Sequence, residues 1–196
     1  MSTKASIEKG VNDKRTAILK ATLTLISERG FYNTPMSLIA NTSGVSAGVI
    51  YHYFSSKEEL INQLYHEIKL DIIQAMLASY SEELSLHERF LGIWANYVRY
   101  SLNYPAKGSF IEQFENSPLI KHVVDEDVLQ AVAPFFAFAE QGVEEGVFKP
   151  LPSLVLYDLG FAAAVAVVKR HVAGFVVLDD ALMQATANAC WDAITI

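Results

Sequence analysis

The sequence predicts an all-α protein of about nine helices, an N-terminal three-helix helix-turn-helix domain followed by a larger helical domain. Three observations predict it. Apolar residues recur at three- and four-residue steps over most of the 196 residues. Strand signals are few, while Gly, Pro, Ser and Asp punctuate the chain at helix-length intervals. Finally, Pro35 to Leu60, PMSLIANTSGVSAGVIYHYFSSKEEL, holds a short amphipathic piece, a Gly turn, a second piece crowded with Tyr and His, and a capped third. That is the layout of a helix-turn-helix.

A first helix is expected from Asp13 to Gly30, then a connector over Phe31, Tyr32, Asn33 and Thr34. Thr34 can N-cap the next helix with Pro35 at its first position, where the missing N–H is harmless. Gly44 supplies a left-handed turn. Ser46 can cap a third helix, on which Val49 and Tyr53, and Ile50 and Phe54, lie one turn apart. Ala47, Gly48, Tyr51 and His52 are left on its outer side, where small residues permit close approach to base edges and Tyr and His can donate to phosphates. Ser56 and Glu59 have the spacing of a capping box. Lys57 then falls in a first turn where the macrodipole disfavours a cation, and a phosphate there would satisfy both. Candidate DNA contacts are therefore Thr34, Ser46, Ala47, Gly48, Tyr51, His52, Tyr53 and Lys57.

The fourth helix should run from Lys57 to about Ser81, with Leu60, Leu64, Ile68, Ile72 and Met76 near helical spacing. Further helices are expected over Leu86 to Asn103, Ser109 to Asn116, Asp125 to Glu145 with Pro134 as a kink or break, Ser153 to Phe175, and from an Asp179 or Asp180 cap to Ala193. The domain boundary is placed between residues 56 and 57, giving 1–56 and 57–196.

Charge is segregated in the same way. The net value of −7 argues against DNA binding, but residues 1–57 hold seven Lys/Arg against three Asp/Glu, a net of +4, and the remainder eight against nineteen, or −11. DNA-handling and ligand-handling parts look separate. A hydrophobic content of 52% is ample for a core and high for a monomer, which points to a subunit interface or a pocket. Cys190 is the only cysteine, so neither an intrachain disulfide nor a thiolate metal cluster is expected. Residues 1–20 carry no secretory signal, and the apolar run Leu159 to Val168 would span about 15 Å against a bilayer core of roughly 30 Å. A cytoplasmic protein without membrane partner, metal or cofactor is expected.

The segment IANTSGVSAGVIYHYFSSKEEL resembles the DNA-binding signature of the TetR/AcrR regulators, roughly IA-x-x-A-G-V-S-x-G-x-[IL]-Y-x-[YH]-F-x-[ST]-K-E-x-L. The resemblance covers about residues 12 to 60, and beyond that it is one of helical layout and length. Ser43 stands where the family usually has Ala. Ala47 is apolar where some members carry a base-reading polar side chain, so operator sequence is not legible here. The resemblance implies a repressor acting on double-stranded operator DNA, a homodimer, and a small-molecule effector held among the middle helices.

Aromatics cluster in that middle region. Phe90, Trp94 and Tyr97 recur on one expected helix, Phe110 and Phe114 flank Gln113 on the next, and Phe135 and Phe138 lie beside Pro134. Such stripes are usually plain core. Together they suggest a ligand pocket with Tyr97 and Gln113 as polar groups. In the penultimate helix, Gly160 and Ala164 keep one side slim while Leu156 and Val167 supply area, and the resemblance implies that such helices pair with a second subunit.

Two other readings remain. A dimeric DNA-binding protein with no inducer would look the same in sequence. Gly44-Val45-Ser46-Ala47-Gly48 also satisfies the G-x-S-x-G pattern of a serine hydrolase, but LIANTS before it reads as helix where a nucleophile elbow needs a strand. No catalytic residue is assigned.

Overall fold

The computed structural model describes residues 2–119 and 126–196, with side chains described from residue 13. Its helices are α1 (Ser2–Arg29), α2 (Met36–Ser43), α3 (Ala47–Tyr53), α4 (Lys57–Met76), α5 (Leu86–Asn103), α6 (Pro105–Glu115), α7 (Glu126–Glu144), α8 (Ser153–Val172) and α9 (Asp180–Ile194). Among the described residues, β structure is limited to one isolated antiparallel bridge between Phe148 and Thr195. No helix among them is long and apolar enough to cross a membrane.

Several boundaries differ from expectation. α1 begins at Ser2 rather than Asp13. α5 covers Leu86–Asn103 as expected, but α6 begins at Pro105 rather than Ser109, with proline at the first position, where it is pre-organised for helical φ. α4 stops at Met76, short of Ser81. Pro134 lies inside α7 without ending it, and Asp125, expected to open that helix, lies outside the described residues. Asp179 is the cap of α9, its carboxylate accepting from Leu182 N at 2.8 Å.

The chain forms two compact units, one of residues 1–68 with 106–124 and the other of residues 69–105 with 125–196. The first therefore takes in the opening turns of α4 and all of α6 but its first residue, Pro105, which the expected boundary at 56/57 assigned to the C-terminal domain. Its core gathers Ile18, Leu25 and Ile26 of α1, Ile39 of α2, Ile50 and Phe54 around α3, Leu60 and Leu64 of α4, and Phe110 and Phe114 of α6. Phe31 meets Phe110 edge-on with centroids 5.8 Å apart, and Tyr65 stacks on Phe114 at 4.1 Å. Gln113 donates its amide to Ile26 O at 3.2 Å.

In the second unit, α5 packs against α8 and α9, and α8 and α9 pair with each other. α5 is set by a full capping box: the Ser85 hydroxyl accepts from Glu88 N, and the Glu88 carboxylate accepts from Ser85 N at 2.9 Å. Phe90, Ile93, Trp94 and Val98 fill its buried face. The segment after α7 is pinned to the chain end by Lys149 N donating to Ile194 O at 2.8 Å and Ile196 N donating to Val147 O at 3.1 Å. This clamp drives Phe148 into the core, where its ring meets Phe138 and Trp191.

The expected interface on α8 needs correction. Leu156, Gly160 and Ala164 are buried within the chain, and Gly160 backs onto Phe90, whose Cε2 would lie 3.2 Å from an added Cβ. α8 thus approaches α5 closely at Gly160, and these three residues are core. Val167 is half-buried. The opposite side of α8 instead exposes Val155, Leu159 and Val165.

Candidate nucleic-acid interface and cavity

Gly44 adopts the left-handed conformation, with φ 69° and ψ 13°, and so turns the chain out of α2 with no Cβ to clash. The chain re-enters helix at Ser46, extended at φ −60° and ψ 147°, whose carbonyl accepts from Val49 N and Ile50 N, both at 3.0 Å. Ile50 and Phe54 are fully buried and anchor α3. Their burial fixes which side of the helix faces out. Ser46, Ala47, Gly48, Tyr51 and His52 are exposed together, Tyr51 at 52%. Open space surrounds Gly48, since a Cβ there would meet nothing within 4 Å. Tyr53 is half-buried, and His52 meets its ring edge-on at 5.9 Å.

Three details differ from expectation. Thr34 is fully buried and donates its hydroxyl to Gly30 O at 2.9 Å, so it is a packing residue of the connector and not a DNA contact. Nor does it cap α2, whose cap position is Pro35. The Ser46 hydroxyl makes no cap bond. At α4, the Ser56 hydroxyl accepts from Glu59 N at 3.0 Å, but the Glu59 carboxylate reaches back to the Ser55 N–H and hydroxyl, one residue beyond the position a capping box uses. Those bonds, the Ser55 hydroxyl first, hold Glu59 below the usual carboxylate range.

Lys57 is half-buried and its ammonium donates to Phe31 O. Burial lowers its pKa by penalising the charged form. The same side chain thus answers the α1–α2 connector from the first turn of α4. Ser46, the serine of the G-x-S-x-G pattern, lies between two helices, without the strand that a nucleophile elbow requires.

The second unit contains a cavity of about 230 Å³. Its wall is formed by Ile72, Ile73 and Met76 of α4, Phe90 and Ile93 of α5, Val132, Phe135, Phe136, Phe138 and Ala139 of α7, Leu154, Leu156, Tyr157 and Phe161 of α8, Ile194 of α9, and Phe148. Lys69 and Ser153 complete the lining.

Of the residues expected to line a pocket, Phe90, Phe135 and Phe138 do so. Phe110 and Phe114 belong to the core of the first unit, and half-buried Gln113 lies in the same unit. Trp94 is fully buried, and Tyr97 is half-buried outside the lining. The α8 contribution carried a weak signal: its apolar residues run nearly all round the helix, as they must when one side lines a wall and another is exposed. Phe148 and Lys69 stand outside any stripe, and nothing in the local sequence marks them.

Comparison with known proteins settles the family. Residues 18–64 match the family described as "Bacterial regulatory proteins, tetR family", and residues 85–195 match "Tetracyclin repressor-like, C-terminal domain". The chain belongs to the TetR family. It is similar to a putative TetR-family transcriptional regulator from Vibrio parahaemolyticus, with 35% identity, 93% of this chain and 99% of that one covered, and a TM-score of 0.78. A TetR-family regulator from Marinobacter aquaeolei shares 26% identity, 96% and 98% coverage, and a TM-score of 0.86. The transcriptional repressor KstR2 of Mycobacterium tuberculosis is 27% identical, covering 71% of this chain and 72% of its own. This TetR-family chain is a DNA-binding transcriptional regulator, and α2 and α3 are its helix-turn-helix.

Proposed function

We propose that this TetR-family regulator is a cytoplasmic homodimeric repressor, without catalytic activity, released from a palindromic operator by a small molecule bound in the apolar cavity. The observation that carries the reading is that one chain holds both an exposed α3 face of small and hydrogen-bonding residues and a sizeable apolar cavity in its C-terminal unit. A constitutive binder needs the first and has no use for the second. The likeness to a repressor supports the direction of control.

A palindrome requires two recognition helices about 34 Å apart, and hence two copies of the chain. The exposed apolar side of α8, with Val155, Leu159 and Val165, supports pairing there, since such a surface gains by leaving water. α4 is the element able to couple the two functions. Lys57 stands at its start and cavity residues Ile72, Ile73 and Met76 at its end, on one continuous helix. A ligand pressing on the far end biases the helix, and with it the separation of the two α3 helices. Hundredfold release needs the ligand to prefer the DNA-incompetent form by about 2.7 kcal/mol.

Selection of bound duplexes from a random pool, followed by a metabolite screen for release, tests this reading. A palindromic consensus and at least one releasing compound are expected. Enrichment of a single half-site, or a consensus that no cavity ligand releases, would overturn the dimeric or the ligand-responsive part respectively.

A further inference from the structure

The charged groups around the cavity are already engaged within the protein. Lys69 is the one charged side chain in the lining, and it has its own partner in the chain. No carboxylate lines the wall. Arg89 stands behind it, only 4% exposed, with its guanidinium 5.5 Å from the ring centroid of Phe138. Its Nη1 donates to Tyr80 Oη at 3.2 Å and to Gln141 Oε1 at 3.0 Å, and the Gln141 amide donates in turn to Glu145 Oε1 at 2.6 Å. A carboxylate thus answers the guanidinium through one intervening amide.

What remains is apolar. Six of the chain's eleven phenylalanines line the space beside Ile, Leu, Val and Met side chains, and Ser153 and Tyr157 add only neutral hydroxyls. A charge of either sign taken into such surroundings loses its water and gains no counter-charge. The lining residues that also reach solvent, Phe136, Leu154 and Tyr157, carry no charge either. An ion could therefore stay wet only by drawing its body back toward them and leaving the cavity part-filled. Size narrows the occupant further: an apolar cavity of about 150 Å³ takes benzene, and this one, at about 230 Å³, has room for a body about half as large again.

We propose that the cavity takes an uncharged apolar molecule the size of roughly two fused rings, and selects against organic ions of either sign. This deepens the effector reading given above and rests on it for its regulatory meaning, though not for the binding itself.

Isothermal titration of the full-length protein at neutral pH with 2-naphthylmethanol, 2-naphthoate and 2-naphthylmethylammonium varies the charge on a constant ring system. The alcohol is expected to bind about tenfold or more tightly than either ion. Ala139→Leu enlarges a wall side chain into the cavity and should weaken alcohol binding about tenfold or more in a protein that still melts cooperatively. Val132→Phe, about two turns earlier on α7, reads the same point if the first variant does not fold. An ion of either sign that binds as tightly as the alcohol, alcohol binding that survives the filled cavity unchanged, or no binding of the alcohol would each overturn the proposal. Because these titrations contain no DNA, they stand or fall separately from the regulatory reading, which the screen for operator release tests.

Discussion

The Lys57 ammonium donates to the carbonyl oxygen of Phe31, tying the first turn of α4 to the connector between α1 and α2. Phe31 in turn lays its ring edge-on against Phe110 and Phe114 of α6. A cation in a helix's first turn is unfavourable to the dipole, and here a carbonyl compensates it. Lys57→Met should therefore lower stability by about 1 kcal/mol through the lost hydrogen bond. If the lysine also meets a phosphate, the slope of log affinity against log salt should fall by about one unit. Thermal melts and anisotropy across a salt series separate the two effects. An unchanged slope would leave Lys57 a purely structural residue.

Tyr51 carries no such internal duty, since it lies on the outer side of α3. Tyr51→Ala is expected to leave the melting temperature within a degree or two, because exposed substitutions change stability little, while weakening operator binding. Equal affinity in a folded Tyr51→Ala protein would take this residue out of the interface.

A methyl group built on Gly142 would lie 2.0 Å from Phe148 Cδ2, so α7 accepts only glycine where the Phe148 ring crosses it. Gly142→Ala should cost about 1 to 3 kcal/mol. Adding Phe148→Leu should recover part of that loss, and additive losses in a double-mutant cycle would contradict the contact.

The two sides of α8 should respond differently to substitution. Leu159 is 43% exposed, so Leu159→Asp is expected to leave the fold intact and yield monomers in sedimentation equilibrium. Gly160→Leu, by contrast, drives a side chain at Phe90 and should lower the melting temperature of the chain itself. A Leu159→Asp protein that remains dimeric would move the interface off this face.

Glu88 is held below its ordinary pKa by the Ser85 hydroxyl and then the Ser85 N–H. A carboxylate depressed in the folded state contributes stability that is full above the unfolded pKa, about 4.3, and lost as pH falls through the lower folded value. The stability gap between wild type and Glu88→Gln should therefore be widest near pH 7 and close as pH falls below about 4. Melts across that range check it, and a gap that widens on acidification would contradict the cap.

Legibility in the sequence followed the range of the interactions involved. The helix-turn-helix is built from contacts a few residues apart, Gly44 turning and Ile50 with Phe54 anchoring, so its outward side chains could be assigned from spacing alone. Thr34 was misjudged because its hydroxyl turns back to Gly30 rather than forward to α2, and a cap signature cannot distinguish the two. The aromatic stripes were visible, but periodicity does not say which body a stripe joins. Phe110 and Phe114 pack with Phe31 in the first unit, while Phe135 and Phe138 line a cavity in the second. Likewise Gly160 and Ala164 marked a close helix approach correctly, but the neighbour is α5 of the same chain. Which partner a slim surface meets is a long-range fact. Phe148 reaches the wall only because the chain end pairs with residues 147–149.

The central claim, that the outer side of α3 meets DNA, is tested most directly by Ala47→Glu. Residue 47 is the exposed first position of the helix, where an acidic side chain suits the macrodipole and should leave stability unchanged or slightly raised. On DNA the same carboxylate would face phosphates. Anisotropy on the selected operator should show affinity falling by about a hundredfold or more, a penalty of several kcal/mol for juxtaposed like charges, at an unchanged melting temperature. Operator affinity equal to wild type in the folded variant would contradict the account.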